Sequence, residues 1–303
     1  MSGEAGTPAS VAPPKTWTIG SLVKWATDDF RARGIENPRL DAELLVAHAL
    51  EIDRMRVILD ANRPLEGAEL ALLRDLVKRR RAFEPIAYLR GYREFYGLRF
   101  RVDKRVLVPR PDTETLVDAA LTRSTHVSMS MRQLDLCTGS GCVAIAMARQ
   151  RPTAQVFASD ISADALAVAR DNALRLGAYN VAFVQGDLFA PFAPPPAGER
   201  FDVITANPPY IATSEVATLM PDVRDHEPRL ALDGGADGLD LVRRIVREAP
   251  EHLEPGGVLA MEIGAGEAEA TVALFEASGF ADVRTHRDIA RIERVVSGVR
   301  PPL

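Results

Sequence analysis

The sequence contains a short apolar segment that runs into a glycine-rich turn, Leu134-Asp135-Leu136-Cys137-Thr138-Gly139-Ser140-Gly141. Residues 134–136 predict a strand, and the apolar, helix-forming residues 143–149 that follow the turn predict a helix. Glycines at 139 and 141 let the backbone approach a ligand closely, because a side chain at either position would collide with it. We therefore predict a strand, a ligand-binding turn and a helix in direct succession.

The same alternation of strand and helix continues to the end of the chain. We predict strands at 155–159, 181–185, 201–206 and 257–263, helices at 163–176, 239–252 and 267–278, and closing strands at 282–285 and 295–296. Such alternation is typical of an α/β fold, a mostly parallel sheet with helices on both faces. Ligands bind outside the carboxyl ends of parallel strands. We therefore expect Asp160, Asp187 and Asn207, which each follow a strand, to meet in one crevice.

The first part of the chain differs in composition and pattern. Residues 1–15 are rich in Ala, Pro, Gly and Ser, which predicts a disordered tail. Helical spacing over residues 16–83 predicts a small helical bundle, and its final basic run, Lys78-Arg79-Arg80-Arg81, suits a solvated helix end. Residues 84–115 alternate apolar and polar side chains around a glycine. This predicts a β-hairpin linker to a larger domain at 116–303.

Composition narrows the possible functions. The chain has 303 residues, 47% hydrophobic content, a formal net charge of −5 and a sequence pI near 5.7. This charge argues against a long nucleic acid as the main partner. No run approaches the roughly 18 apolar residues of a membrane span. The two cysteines, Cys137 and Cys142, form neither a disulfide framework nor a zinc ligand set. We therefore predict no metal, no membrane partner and a reducing, cytoplasmic location.

The predicted strand 201–206 ends in Asn207-Pro208-Pro209-Tyr210. Neither proline has an N–H for a sheet ladder, so the strand stops here, and Pro208 keeps Asn207 extended. The Asn207 side-chain oxygen and the Pro208 carbonyl are then two acceptors without local donors. Together they can orient the –NH2 group of a substrate for attack on an electrophile, while Tyr210 offers a flat face to an amide or a base. At this point a proline-terminated strand before an ordinary loop explains the tetrapeptide equally well.

Two cofactors fit the glycine-rich turn. The spacing Gly139-x-Gly141-x-x-Ala144, followed by Asp160 at the distance of a ribose-binding carboxylate, formally matches a dinucleotide fingerprint and permits NAD(P). Asp135 adds a carboxylate before the turn, which suits the ammonium and sulfonium of S-adenosylmethionine better than a pyrophosphate. Asp187 is well placed for an adenine amino group, with Leu188 to cover the ring. NAD(P) also gives the Asn-Pro-Pro-Tyr tetrapeptide no use, so we favour S-adenosylmethionine.

These motifs, in this order, resemble those of class I methyltransferases, and the tetrapeptide resembles the signature of enzymes that methylate amide or exocyclic amine nitrogens. The helical N-terminal part, the Arg93-Glu94-Phe95 hairpin and the run Pro109-Arg110-Pro111-Asp112-Thr113-Glu114 extend the resemblance. Over roughly residues 20–298 the chain is similar to the release factor glutamine N5-methyltransferase family. The resemblance implies a Rossmann-like class I methyltransferase sheet with a small N-terminal helical bundle, for substrate recognition, joined by a β-hairpin.

The resemblance also implies a reaction and a set of roles. The reaction is methyl transfer from S-adenosylmethionine, which leaves S-adenosylhomocysteine, to the glutamine amide of the Gly-Gly-Gln loop in peptide chain release factors. The expected catalytic residues are Asn207 and Pro208. The expected substrate-binding residues are Asn207, Pro208, Pro209, Tyr210, Arg110 and Glu114. The expected cofactor-binding residues are Asp135, Cys137, Thr138, Gly139, Ser140, Gly141, Asp160, Asp187, Leu188 and Asn207. We expect a monomer that binds no nucleic acid directly.

Two other substrates remain open. The run Cys137–Cys142 also looks like the sister family that methylates a glutamine of a ribosomal protein, and Cys137 stands where the release factor family often has glycine. The run from Arg110 to Glu114 favours the release factor branch. A DNA adenine-N6 methyltransferase uses the same tetrapeptide, but it usually has a target-recognition region and a basic face, and this chain is acidic. Residues 211–238 show no pattern that predicts a role.

Overall fold

The computed structural model describes residues 16–125, 130–194, 198 and 200–302. It forms two compact units, Met1–Arg90 and Gly91–Leu303. The predicted tail at 1–15 lies outside the described residues. None of the described helices is long and apolar enough to cross a lipid bilayer.

The described part of the first unit is helical, as predicted. Its helices are α1 (Ile19–Ala32), α2 (Pro38–Ala49), α3 (Arg54–Leu59), α4 (Gly67–Arg81) and α5 (Ile86–Arg90). The helix starts follow from local sequence: Thr18 and Ser21 form a reciprocal capping box, and the Asp53 side chain accepts the N–H of the third residue of α3. Apolar side chains on the inner faces, including Phe30 and Leu73, form the core of this unit.

The basic run at the end of α4 is only partly solvated. Arg80 is buried; its Nε donates to Asp41 Oδ2 of α2 at 2.8 Å, and its Nη1 donates to the Glu84 carbonyl at 3.0 Å. Arg81 forms a more exposed pair with Asp29. The expectation of a solvated helix end is wrong for Arg80. Spacing along one helix does not reveal an acidic partner on another, and a buried guanidinium needs such partners.

Residues 86–90 form the helix α5, although their alternation predicts part of the hairpin. The Pro85 carbonyl accepts the N–H groups of Tyr88 and Leu89, and Leu89 packs into the core of the first unit. A short apolar run is ambiguous between strand and helix, and packing decides here. The hairpin itself consists of β1 (Tyr92–Phe95) and β2 (Leu98–Arg101). Its Phe95 and Phe100 are buried in the core of the second unit.

The second unit is built on a seven-stranded sheet in the order β5-β4-β3-β6-β7-β9-β8. Its strands are β3 (Arg132–Leu136), β4 (Gln155–Asp160), β5 (Val181–Gln185), β6 (Phe201–Ala206), β7 (Leu253–Glu262), β8 (Ala281–Arg287) and β9 (Glu293–Val299). Its helices are α6 (Glu114–Arg123), α7 (Cys142–Gln150), α8 (Ala163–Leu176), α9 (Pro221–Arg224), α10 (Asp240–His252) and α11 (Ala268–Ala277). The pairs from β5 to β7 are parallel, and β9 is antiparallel to both of its neighbours.

Helices cover both faces of the sheet and fix where a ligand can bind. Apolar residues of α6, α7 and the hairpin pack on one face, and those of α10 and α11 pack on the other. From β3 the chain proceeds outward to β4 and β5 and then returns to β6 on the other side of β3. This reversal opens a crevice at the carboxyl ends of the strands. The predicted α/β fold is confirmed.

The long connection between β6 and α10 closes on itself. The Ile211 N–H donates to the Leu232 carbonyl at 3.0 Å, and the Gly234 N–H donates to the Ile211 carbonyl at 2.8 Å. Between these points lie α9 and two short 3-10 helical turns, Val216–Thr218 and Arg229–Ala231. Backbone hydrogen bonds of this kind leave no periodic side-chain pattern, which explains why the sequence predicts nothing for this segment.

Candidate active site

A cavity of about 280 Å³ opens at the carboxyl ends of β3, β4 and β6. The predicted site residues in its lining are Arg110, Asp135, Cys137, Thr138, Gly139, Ser140, Asp160, Asp187, Leu188, Asn207 and Pro209. The predicted residues that do not line it are Glu114, Gly141, Pro208 and Tyr210. The fold therefore brings most of the predicted positions, from five separate segments, into one place.

The two glycines in the turn between β3 and α7 have different roles. Gly139 has a φ of +54°, and a Cβ there would meet nothing within 4 Å, since it would project into open space. Gly141 has a φ of +81°, and a Cβ there would lie 3.0 Å from Ile145 Cδ1 and 3.1 Å from Ala169 Cβ. Gly139 therefore leaves room at the cavity, whereas Gly141 permits close packing of α7 and α8.

Cys137 occupies a backbone conformation that favours glycine, with a φ of 54°. A side chain in this region costs about 1–2 kcal/mol. Burial raises the pKa of the Cys137 thiol, and it raises that of Cys142 to about 12. Both thiols are neutral at physiological pH and serve as small packing groups. Within the described residues, no cluster of His, Cys, Asp and Glu could hold a metal ion.

Asp160 links the end of β4 to the glycine-rich turn. The Gly139 N–H donates to its Oδ2 at 2.8 Å, and the Ser162 N–H donates to its Oδ1 at 2.9 Å. Burial raises the pKa of Asp160, and these backbone donors oppose that effect. Because each carboxylate oxygen can accept more than one hydrogen bond, both retain capacity for hydroxyl groups of a ligand. This arrangement suits a ribose diol.

Asp135 places a carboxylate in the buried wall beside the turn. The Thr138 hydroxyl donates to its Oδ2 at 2.6 Å, and the Thr205 hydroxyl donates to its Oδ1 at 2.7 Å. Burial raises the pKa of Asp135 to about 6, against the lowering effect of these hydroxyls. The group is therefore mostly ionised at neutral pH. A buried negative charge at a cavity wall favours a cationic ligand group.

Asp187 follows β5 and is held by an arginine of α10. Arg244 Nη2 lies 2.8 Å from Asp187 Oδ2, and Nη1 lies 3.2 Å from Oδ1. Both residues line the cavity, and the adjacent Leu188 adds an apolar wall. An adenine amino group would have to share the Asp187 carboxylate with this guanidinium. The role of Asp187 in adenine binding stays a prediction.

Asn207 is anchored through the donor side of its amide. Its Nδ2 donates to Thr113 Oγ1 at 3.3 Å. Ala206 pairs with Met261 in the β6–β7 register, so the next residues along these strands, Asn207 and Glu262, lie side by side. Burial raises the pKa of Glu262 to about 7, while the nearby Thr113 and Asn207 side chains and Arg294 lower it. The Asn207 Oδ1 atom is thereby left as an acceptor for a ligand.

Of the other three residues of the tetrapeptide, Pro209 lines the cavity, whereas Pro208, which is buried, and Tyr210 do not. Burial raises the pKa of Tyr210, so its phenol remains neutral. The predicted contact of Tyr210 with a planar amide stays a prediction.

Arg110 and Glu114 have partners within the protein. Arg110 Nη2 donates to Glu227 Oε1 at 2.6 Å, and the Val108 N–H donates to Glu227 Oε2 at 3.2 Å. These bonds tie the β6–α10 connection to the segment before α6. Glu114 Oε1 accepts the Tyr96 N–H at 2.7 Å and so joins α6 to the hairpin. The substrate-binding roles of Arg110 and Glu114 stay predictions.

Sequence reasoning did not assign a role at the site to several polar residues, among them Thr113, Ser159, Arg244 and Glu262. Ser159 Oγ is buried in the cavity lining and has no hydrogen-bond partner among the described residues. Glu262 had a visible signal, because a carboxylate at the end of an otherwise apolar strand is expensive to bury without a purpose. Ser159 and Arg244 had none, since each depends on contacts that the sequence does not show.

Known protein families and proteins are similar to this chain over most of its length. Residues 21–91 match a family described as PrmC N-terminal domain, and residues 128–281 match a family described as Methyltransferase domain. The chain is 45% identical over 285 residues to a release factor glutamine methyltransferase from Geobacter sulfurreducens, covering 94% of this chain and 98% of that protein. It is 40% identical over 291 residues to a protein of the same name from Caulobacter vibrioides, covering 95% and 96%.

A crystal structure of a methyltransferase from Pyrococcus furiosus has the same fold. It matches with a TM-score of 0.50 and 20% identity and covers 68% of this chain and 91% of that one. The relatives extend over almost the whole length of both proteins. The chain therefore belongs to the release factor glutamine methyltransferase family.

Proposed function

We propose that this chain transfers a methyl group from S-adenosylmethionine to the side-chain amide nitrogen of the glutamine in the Gly-Gly-Gln loop of a peptide chain release factor. Membership of the family supports the reaction and the substrate class. The observation that carries the proposal is the state of Asn207. Its donor atom is engaged with Thr113, while its acceptor atom remains beside the cavity that holds the predicted cofactor residues.

The cavity fits S-adenosylmethionine, which supplies an electrophilic methyl group on a sulfonium. The open space at Gly139 lets a ligand approach the backbone. Asp135 places negative charge where the cofactor carries an ammonium, and Asp160 keeps acceptor capacity for ribose hydroxyls. Leu188 supplies an apolar surface for a ring. The match includes both the charged and the apolar parts of the cofactor.

The protein's part in the reaction is to orient a poor nucleophile. The lone pair of a primary amide nitrogen is delocalised into its carbonyl. Asn207 Oδ1 and the Pro208 carbonyl are proposed to accept its two N–H groups, which fixes the nitrogen and stabilises the positive charge that develops on it. As the new N–C bond forms and the S–C bond breaks, the nitrogen releases one proton to water. No histidine lines the described cavity, which agrees with a mechanism that needs no strong base.

The helical unit is proposed to recognise the protein substrate. All residues that line the cavity belong to the second unit, so the first unit is left with partner recognition as its most direct use. Release factors act in the cytoplasm, and we propose that the chain works there as a monomer.

The test is methylation of defined substrates by the purified chain with methyl-labelled S-adenosylmethionine. We expect label in a release factor, and none in a release factor whose Gly-Gly-Gln glutamine is replaced by alanine. A ribosomal protein preparation and double-stranded DNA serve as the alternative substrates. Label in either of these, without label in the release factor, would overturn the proposal.

A further inference from the structure

We propose that Glu262 is a positioning residue for methyl transfer, whose buried carboxylate acts with Thr113 to fix the amide of Asn207 with Oδ1 facing the substrate nitrogen. This inference rests on the function proposed above. It concerns a residue that does not line the cavity and does not touch the reacting atoms.

The need for such a residue follows from the shape of an asparagine side chain. The amide oxygen and nitrogen are nearly the same size, and rotation by half a turn exchanges them. If Nδ2 faced the cavity, a donor would meet the –NH2 group of the substrate, and neither could accept. Only one of the two orientations of Asn207 therefore supports the proposed reaction.

The contacts behind Asn207 select that orientation. Nδ2 donates to Thr113 Oγ1, and the Thr113 hydroxyl and the Asn207 amide both stabilise the carboxylate of Glu262. The Thr113 hydroxyl can accept from Asn207 and at the same time donate toward Glu262, so the three side chains can act together. With the amide reversed, Oδ1 would face the Glu262 carboxylate, which is also an acceptor, and the Thr113 hydroxyl would have to turn away from Glu262 to donate to Oδ1. The reversed state is therefore disfavoured by electrostatics.

Glu262 is held in the sheet, and Thr113 is buried in the 3-10 turn Pro111–Thr113 before α6. Glu262 is 2% exposed, and in the register of β7 with β9 it pairs with Val295. Thr113 is also 2% exposed. Glu262 Oε2 has no hydrogen-bond partner among the residues that the structure describes, so this carboxylate is not retained for a complete ion pair. A buried, incompletely paired carboxylate lowers stability, and a role at the adjacent Asn207 explains its presence.

The charged groups around Glu262 determine when it is ionised. Arg294 of β9 favours the carboxylate, Asp112 of the turn before α6 disfavours it, and Tyr210 is neutral. Burial is the largest influence and brings the pKa of Glu262 to about 7. The carboxylate is needed to hold Asn207, so the rate should rise as the pH increases through this value. Its negative charge also favours the positive charge that develops on the substrate nitrogen.

The decisive variant is Glu262→Gln, measured by single-turnover methylation of a release factor between pH 6 and 8.5. We expect the rate at pH 8 to fall about 10- to 100-fold, the range for loss of one hydrogen bond to a charged group. We also expect the rise in rate between pH 6 and 8 to disappear. Affinity for S-adenosylmethionine, measured by calorimetry, should stay within about threefold, because the cofactor contacts lie on other strands.

Control variants distinguish a loss of Asn207 positioning from a general loss of folding or activity. Glu254→Gln removes an exposed carboxylate at the other end of the same strand and should leave rate and pH profile unchanged. Thr113→Val should lower the rate as Glu262→Gln does, and Thr113→Ser, which keeps the hydroxyl, should restore most of it. A Glu262→Gln variant with the wild-type rate and pH profile would overturn the proposal. So would a rate loss matched by an equal loss of cofactor affinity.

A measurement made without substrate tests the positioning role of Glu262 separately from the methylation of release factor. The side-chain amide protons of Asn207, followed by NMR in the full chain, should shift with pH near 7 in the wild type and not in Glu262→Gln. If release factor is not methylated but this shift is present, the proposed function fails while the contact stands. If the shift is absent in the wild type, Glu262 does not hold Asn207 and the positioning role fails.

Discussion

At the scale of single residues, the fold uses one part of a side chain and leaves another part for the ligand. Asn207 gives Nδ2 to Thr113 and keeps Oδ1, and Asp160 accepts two backbone N–H groups with acceptor capacity to spare. These internal contacts hold each side chain in place before a ligand arrives. Such preorganisation reduces the entropy lost on binding and on reaching the transition state.

Replacement of Asn207 should affect turnover far more than cofactor binding. Asn207→Ala removes one preorganised acceptor and should slow single-turnover methylation by about 10²–10³-fold. Asn207→Asp places a second carboxylate beside the buried Glu262. Like charges at that distance force one group to remain protonated, so this variant should be nearly as slow as alanine. An alanine variant with the wild-type rate would show that Asn207 only ends a strand.

Replacement of Asp160 should have the opposite pattern. Asp160→Ala removes the proposed ribose acceptor and the acceptor of the Gly139 N–H, so affinity for S-adenosylmethionine should fall about 10- to 150-fold. The matched control is Asp164→Ala, an exposed carboxylate in the first turn of α8, which should bind normally. Calorimetric titration measures both. Equal affinities for the two variants would remove Asp160 from the cofactor site.

At the scale of elements, the turn between β3 and α7 determines how closely α7 can approach α8. Gly141 combines a left-handed backbone with a crowded Cβ position, whereas Gly279, after α11, has a φ of +83° and nothing within 4 Å. Both glycines have a positive φ, but only at Gly141 would an added Cβ contact other atoms. They therefore allow the two effects to be measured separately.

Both glycine-to-alanine variants should be less stable than the wild type, by different amounts. Gly279→Ala should lower the free energy of unfolding by about 1–2 kcal/mol through backbone strain alone. Gly141→Ala should lose about 1–3 kcal/mol more, because its methyl group overpacks against Ile145 and Ala169. Urea denaturation of the two variants provides the comparison. Equal losses would show that the packing at Gly141 relaxes without cost.

The sequence predicted the elements whose signals are local. The strands 155–159, 181–185 and 201–206 lie within the observed strands β4 to β6, because a buried strand, a glycine turn and a proline stop are each visible in a few residues. α5 was missed because five residues are too few to separate helix from strand. The burial of Arg80 and the position of Glu262 beside Asn207 depend on residues far apart in the chain, so no local pattern indicates these pairings.

At the scale of the whole molecule, the chain separates into a unit that contains the cavity and a unit that does not. Each unit has its own buried apolar clusters, and every lining residue follows Arg90. The sequence predicted both parts but placed the hairpin in a linker, whereas its phenylalanines belong to the core of the second unit. The observed boundary at Arg90 defines a cleaner truncation than the predicted end of the bundle at residue 83.

Removal of the first unit should separate cofactor binding from substrate recognition. A chain that begins at Gly91 should bind S-adenosylmethionine with nearly full affinity but methylate whole release factor much more slowly than the full chain. A chain that lacks only residues 1–15 serves as the control and should remain active. Full methylation by the Gly91 chain would contradict a recognition role for the helices. Loss of cofactor affinity would contradict the assignment of the cofactor contacts to the second unit.

The closed connection after β6 has a consequence for how this chain can diverge from its relatives. Because Ile211 is hydrogen-bonded to Leu232 and Gly234, the intervening segment starts and finishes at one fixed point, and its length can vary on either side of the Glu227 contacts with Arg110 and Val108. The entropy of closing a loop grows only with the logarithm of its length, so insertions there are thermodynamically mild. Pro228 and Leu230, which this segment contributes to the cavity wall, can thus be exchanged by mutation while Asn207 stays in place. Natural selection can therefore alter this part of the cavity wall without moving the residue that orients the substrate.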